Sequence, residues 1–204
     1  MSIAILLLAA GGSTRMRGGD KLLEILNGEP MLVRSARVAL GSRAEEVIVV
    51  LGANRSARER ALDGLPVRIV GNVEWQDGMG RSIAVGAAAV SDATCGIIVM
   101  PGDMPGLTSA LLDELISALP TGASGTILRP RTMEGSPGNP VLFGGAYRPA
   151  LMALTGDDGA RPVIAAHREN LRYVDVIGDA VSTDLDTPEE WAAYRARPDA
   201  GNGD

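Results

Sequence analysis

Cysteine and histidine each occur once in this 204-residue chain, as Cys95 and His167. One cysteine cannot close an intrachain disulfide, and one of each residue cannot build a zinc cluster. Cys95 lies in an apolar, strand-like run and reads as a small core residue. His167 lies in a polar helical stretch and reads as structural, which leaves a Ser-His-Asp triad without its base. Aromatic residues are 3% of the chain, too few for a base-stacking platform. The net charge of −6 lacks the basic excess of a nucleic-acid binder. Apolar residues reach 46%, yet no run approaches the ~20 residues of a membrane span. No basic segment precedes the first apolar run, so no secretory leader is expected and a cytoplasmic location is. Chemistry here has to come from positioning and metal electrostatics.

The length suits one α/β domain, expected over 1–196, with residues 197–204, rich in Gly, Asp and Asn, as a flexible tail. Runs rich in Val, Ile and Leu predict strands at 3–9, 46–51, 67–70, 96–100, 126–129, 141–143 and 171–176. Helical spacing predicts helices near 30–40, 55–62, 82–90, 109–119, 146–154, 160–167 and 188–195. Strands apolar on both faces belong in a parallel sheet. Their alternation with helices predicts a three-layer, doubly wound, mostly parallel α/β fold of Rossmann-like type. Ligands bind such sheets beyond the C-terminal strand ends, so the residues just after each strand carry the function.

The first strand empties into Ala10-Gly11-Gly12-Ser13-Thr14-Arg15-Met16-Arg17-Gly18-Gly19-Asp20-Lys21. Glycines let backbone N–H groups approach an anion closely, and the two cations Arg15 and Lys21 neutralise it. A Walker A loop is excluded, because Asp20 precedes Lys21 and Leu22 supplies no hydroxyl after it. The G-x-G-x-x-G fingerprint is excluded because Gly11 and Gly12 are adjacent. The loop reads as a phosphate holder of another kind, with a merely solvated glycine loop as the plainer alternative.

Four further segments stand out. Pro101-Gly102-Asp103-Met104-Pro105 follows a strand; Thr108 is available to cap the next helix, which frees the Asp103 carboxylate for a hard cation such as Mg²⁺. In Asp184-Leu185-Asp186-Thr187-Pro188-Glu189-Glu190, Thr187, Pro188 and Glu190 form a capping box. Asp184 and Asp186 alternate and so face one side of an extended segment. Asp186 is the candidate second ligand, and Asp184 is evenly balanced between ligand and bystander. The stretch from Asn72 through Trp75 and Gly78 to Ser82 opens a helix, with Ser82 as its N-cap or near a bound anion. Gly135-Ser136-Pro137-Gly138-Asn139-Pro140 turns into a short strand.

Read in order, these segments resemble the MobA-like nucleotidyltransferases, and within them the molybdenum cofactor cytidylyltransferase branch. The family's opening signature is met by Leu8, Ala9, Ala10, Gly11, Ser13, Arg15, Met16 and Lys21, with Arg17 in place of the usual Gly. Gly102-Asp103-Met104-Pro105, Gly78-Met79 with Ser82, Gly156-Asp157 with Gly159-Ala160-Arg161, and Asp184 through Glu189 match its later motifs. Asn139 replaces a His of relatives. The resemblance implies transfer of CMP from CTP to molybdopterin with release of pyrophosphate. It assigns catalysis to Arg15, Lys21 and Asp103, with Mg²⁺ on Asp103 and Asp186. It assigns the nucleotide to Leu8, Ala9, Ala10, Gly11, Gly12 and Ser13 with Arg15 and Lys21, to Asn72, Gly78 and Ser82, and to Pro101 and Gly102. The second substrate falls to Gly138, Asn139, Pro140, Asp157 and Arg161. Implied partners are a molybdoenzyme of the xanthine dehydrogenase type or its maturation factor, with neither nucleic acid nor membrane. Two alternatives stay open: the same chemistry with GTP or a sugar or polyol phosphate acceptor, and a non-catalytic nucleotide-binding regulatory or chaperone-like module.

Overall fold

The computed structural model describes residues 1–197. Nine strands form: β1 (Ile3–Ala9), β2 (Ile25–Leu26), β3 (Glu29–Pro30), β4 (Glu46–Leu51), β5 (Arg68–Gly71), β6 (Gly96–Pro101), β7 (Ile127–Thr132), β8 (Val141–Gly144) and β9 (Leu171–Val176). Seven of them make one sheet in the order β5-β4-β1-β6-β8-β7-β9. β1 pairs in parallel with β4 and β6, β4 with β5, and β7 with β9, while β8 runs antiparallel to both β6 and β7. The predicted mostly parallel α/β fold is thus the observed one.

The unbroken apolar character of β1 follows from its central place. Ile3, Ile5, Leu7 and Ala9 enter one core, and Ala4 and Leu6 enter the other. The first core is covered by α1 (Met31–Leu40) and α4 (Ser109–Ala118), with Leu62 following α2 (Arg55–Ala61). The second is covered by α3 (Met79–Ala89), α5 (Arg148–Met152) and α6 (Arg161–Ala166). A third, smaller cluster joins Met16 of the phosphate-type loop to Trp191 of α7 (Pro188–Arg195). No helix among the described residues is long and apolar enough to cross a membrane.

Several local expectations change. Ser82 does not cap α3: Gly78 does, with φ +99°, and the helix starts three residues before Ser82, which is buried inside it. The hydrophobic spacing begins at Ile83 and hid that first turn. Cys95 is exposed, because β6 begins only at Gly96. Asn27 and Gly28, both at positive φ, turn the β2–β3 hairpin, whose arms of two residues each are too short to show an apolar strand pattern in the sequence. Thr108 caps α4 and Thr187 with Glu190 forms the capping box of α7, as the spacing predicts. Of the expected tail 197–204, Arg197 is described, paired with Asp179 at 3.0 Å; residues 198–204 lie outside the described residues.

Candidate active site

Every segment singled out in the sequence meets at the C-terminal ends of β1 and β6. Two cavities adjoin there. One, of about 300 Å³, is walled by Ala10, Gly11, Gly12, Lys21, Trp75 and Ser82. Leu8, Ala9, Gly78 and Pro101 also face it. The other, of about 400 Å³, receives Arg129, Gly138, Asn139, Asp157 and Arg161. Asp103 lines both, so the carboxylate stands at their junction.

Three carboxylates gather at that junction. Asp103, Asp184 and Asp186 each offer an oxygen within 4.8 Å of the others. Asp103 stands two residues past the end of β6, and the two others arrive on the segment before α7. The Leu185 N–H donates to the Asp103 carbonyl at 3.1 Å, which joins the two segments backbone to backbone. The α7 capping box adds a second restraint, because Glu190 accepts from the N–H of Asp186 at 2.8 Å. An all-oxygen donor set of this kind suits a hard divalent cation. Burial pushes the Asp184 carboxyl up, and the neighbouring Asp103 and Asp186 charges push it further.

The chain's own cations answer this charge. Lys21 Nζ donates to Asp103 Oδ2 at 2.5 Å and to Asp186 Oδ1 at 2.7 Å. Burial alone would lower the Lys21 pKa, and the two carboxylates more than reverse that, so it is raised. Arg15 lies on the rim, more exposed, with Nη2 2.7 Å from Asp186 Oδ2. Both cations are therefore near the expected phosphate position, but each is engaged by an acid.

Not every expected residue faces a cavity. Asn72 is 2% exposed and acts behind the wall, donating from Nδ2 to Ser82 Oγ at 3.0 Å. Gly102 is buried, its carbonyl accepting from Ser35 Oγ at 3.0 Å. Pro140 is buried behind Asn139, joined to it by a cis peptide. Ser13 sits on the far side of the glycine loop, accepting from the Lys21 N–H at 3.3 Å. His167 stacks edge-on against Tyr147, ring centroids 5.1 Å apart, in keeping with its structural reading.

Sequence reasoning missed Arg58, Asp20 and Arg129, and named Trp75 only as part of its segment. Trp75 packs over the loop from the turn before α3 and lines the first cavity. Arg58 is 1% exposed and forms two hydrogen bonds to the Asp20 carboxylate, each 2.9 Å. The stretch Arg55-Ser56-Ala57-Arg58-Glu59-Arg60-Ala61 looks like a solvated helix face. The i, i+4 relation of Arg58 to buried Leu62 was the available hint that Arg58 points inward. Burial tends to raise the Asp20 pKa, and hydrogen bonds from Arg58 and Asn54 with the Arg58 charge outweigh it, holding the carboxyl below the usual range.

Comparison with known proteins bears on this site. A nicotine blue oxidoreductase of Paenarthrobacter nicotinovorans is 30% identical over 190 residues, covering 90% of this chain and 92% of that protein. The crystal structure of Rv0371c from Mycobacterium tuberculosis H37Rv superposes with a TM-score of 0.84 at 27% identity, over 97% of this chain and 99% of that one. The same protein solved in complex with manganese gives a TM-score of 0.79 at 27% identity, over 95% and 97% of the two chains. The family model of the MobA-like NTP transferase domain matches residues 5–171. With the fold in agreement, the chain belongs to the MobA-like NTP transferase family.

Proposed function

We propose that this protein transfers CMP from CTP to the phosphate of molybdopterin, with release of pyrophosphate. The observation that carries the reading is the position of Asp103: a member of the three-carboxylate cluster borders both the cavity under the glycine loop and the cavity of Asn139 and Arg161. A nucleotide in the first and an acceptor in the second bring their phosphates together at that carboxylate. An acceptor phosphate oxygen forms the new bond to the α-phosphorus, and the bond from that phosphorus to the β-phosphate oxygen breaks. The acceptor phosphate is ionised at neutral pH, so no side chain has to remove a proton.

Asp103, Asp184 and Asp186 would hold the divalent cation, and the manganese complex of Rv0371c supports a metal-dependent reading. When bound, such a cation offsets the negative charge that builds on the transferring phosphate. Lys21 and Arg15 neutralise the departing pyrophosphate, and the Gly11–Ser13 backbone offers N–H groups to it. Ala10, 4% exposed, adds a methyl to the nucleotide wall and favours a pyrimidine over a purine. The product cofactor type points to a molybdoenzyme of the xanthine dehydrogenase type as recipient.

The test is pyrophosphate release from CTP, GTP, ATP and UTP with molybdopterin and Mg²⁺ or Mn²⁺. CTP is expected to give the highest kcat/KM. Turnover with GTP in preference to CTP would overturn the pyrimidine assignment. Absence of pyrophosphate with every nucleotide, together with oxidoreductase turnover of nicotine blue, would overturn the transferase reading in favour of the activity named for the Paenarthrobacter relative.

A further inference from the structure

A buried arginine is costly, and replacing a buried ion pair with apolar side chains is often neutral or stabilising, so packing alone does not account for one. Arg58 is 1% exposed, and its guanidinium is almost fully spent. Nε and Nη2 each donate to Asp20 at 2.9 Å. Nη1 donates to the Ala9 carbonyl and Nη2 to the Gly11 carbonyl, both at 2.8 Å. The planar fork is thus shared between a carboxylate at one end of the glycine loop and two carbonyls at its other end. A lysine, a point charge with three rotatable donors, cannot copy that pattern.

Two consequences follow from bond geometry. The carbonyl of one residue and the N–H of the next lie in the plane of a trans peptide and point in opposite directions within it. Arg58 draws the Gly11 carbonyl toward α2, so it turns the Gly12 N–H the other way, toward the cavity that Gly11, Gly12 and Lys21 line. That N–H makes no hydrogen bond among the described residues. Asp20 precedes Lys21 in the chain. It also accepts from the Leu22 N–H at 3.0 Å, from Asn54 Nδ2 at 2.8 Å and from Ser13 Oγ at 3.3 Å. Arg58 therefore fixes the backbone on both sides of Lys21 through one carboxylate.

We propose that Arg58 is a positioning residue for the triphosphate: through Asp20 and the Ala9 and Gly11 carbonyls it aims the Gly12 N–H and Lys21 at the distal phosphates. The proposal rests on the nucleotidyltransferase reading above. Arg58 touches neither nucleotide nor acceptor, so its effect has to appear as selective loss of contacts to the β- and γ-phosphates.

The experiment is binding of CTP and of CMP, each with Mn²⁺, to wild type, Arg58→Lys and Arg58→Met, by titration calorimetry well below each variant's Tm. Fluorescence of Trp75 on the cavity wall supplies a second readout. CTP affinity is expected to fall at least about tenfold, about 1.4 kcal/mol, while CMP affinity stays within about twofold of wild type. A folded variant that binds CTP as wild type does, or that loses CTP and CMP in equal proportion, would overturn the proposal. If Arg58→Met does not fold, Arg58→Lys carries the comparison, since it keeps a charge opposite Asp20 and still loses the fork. Wild type that binds CTP beside variants with an unchanged CTP:CMP ratio sinks this inference alone. Wild type that binds neither CTP nor any other nucleoside triphosphate sinks the nucleotidyltransferase reading and this inference with it.

Discussion

Lys21→Met separates the two jobs that meet at one ammonium: holding two carboxylates together and meeting a triphosphate. Nζ stands 2.5 Å from Asp103 and 2.7 Å from Asp186, and the three side chains are only 17%, 15% and 12% exposed. Each charge-assisted hydrogen bond contributes about 1.5–3 kcal/mol, and removing one partner of a buried ion pair costs about 3–5 kcal/mol. Partial exposure places the loss at the lower end, at about 3 kcal/mol in a metal-free protein. The carboxylates left behind repel one another, at about 4 kcal/mol for unit charges 4 Å apart in a permittivity of 20. A divalent cation relieves that repulsion more in the variant than in wild type, where Lys21 already does so. At a hundred times its Kd, bound Mn²⁺ stabilises by about 2.7 kcal/mol, enough to return most of the loss. The assay is urea denaturation of both proteins in chelator and in excess Mn²⁺, with Mn²⁺ affinity measured in parallel. The variant is expected to bind Mn²⁺ more tightly without nucleotide, to regain stability with it, and to bind CTP more weakly. A stability deficit that is the same with and without Mn²⁺ would refute the reasoning, because it would show that no cation takes the place the ammonium leaves.

Asp103→Asn keeps the side-chain shape and leaves the Leu185-to-Asp103 backbone bond, so the fold is expected to survive while turnover falls about 100-fold or more. Normal turnover with Mg²⁺ would remove Asp103 from the site. The Asp20 carboxyl is held below its ordinary range when folded, so its contribution is complete above the unfolded pKa and is lost as pH falls through the lower folded value. Wild type and Asp20→Asn, followed by urea denaturation from about pH 6 to about pH 3, are expected to differ most at the upper end and to converge at the lower. A difference that does not vary with pH would count against this. Gly52→Ala would set a Cβ 2.5 Å from the Trp75 Cβ and 2.9 Å from the Ala10 carbonyl, displacing Trp75 at a cost of about 1–3 kcal/mol. Lower Tm and weaker CTP binding are expected, and unchanged values in both would show that the wall can move freely.

The sheet was legible because burial on both faces leaves its mark on every residue of a strand. β1 and β4 coincide with the strands read from the sequence, since neither contains a polar interruption. Asp103 was legible for a related reason: an acid directly after a strand, with the helix cap already supplied by Thr108, has no local structural task left. Asp184 was not settled, because what places it beside Asp103 is a crossing of segments distant in sequence. Arg58 was hidden by its composition. A charged residue on a charged helix is ordinarily solvated, and only the Asp20 carboxylate and the carbonyls of Ala9 and Gly11, supplied from another part of the chain, make its burial possible. Ser82 went the other way: a residue with a strong capping preference was used inside the helix, where Asn72 satisfies its hydroxyl.

The cluster that joins Met16 to Trp191 sets an order of events during synthesis. The glycine loop is made early, yet the helix it packs against, with Arg17 paired to Glu189 at 2.7 Å and Arg195 to Glu24 at 2.7 Å, emerges after every strand of the sheet. A nascent chain halted before Asp184 has every strand of its sheet and its loop but lacks the Asp184–Asp186 segment and the packing of Met16 against Trp191. The cluster of three carboxylates is therefore completed only by chain made after every strand of the sheet.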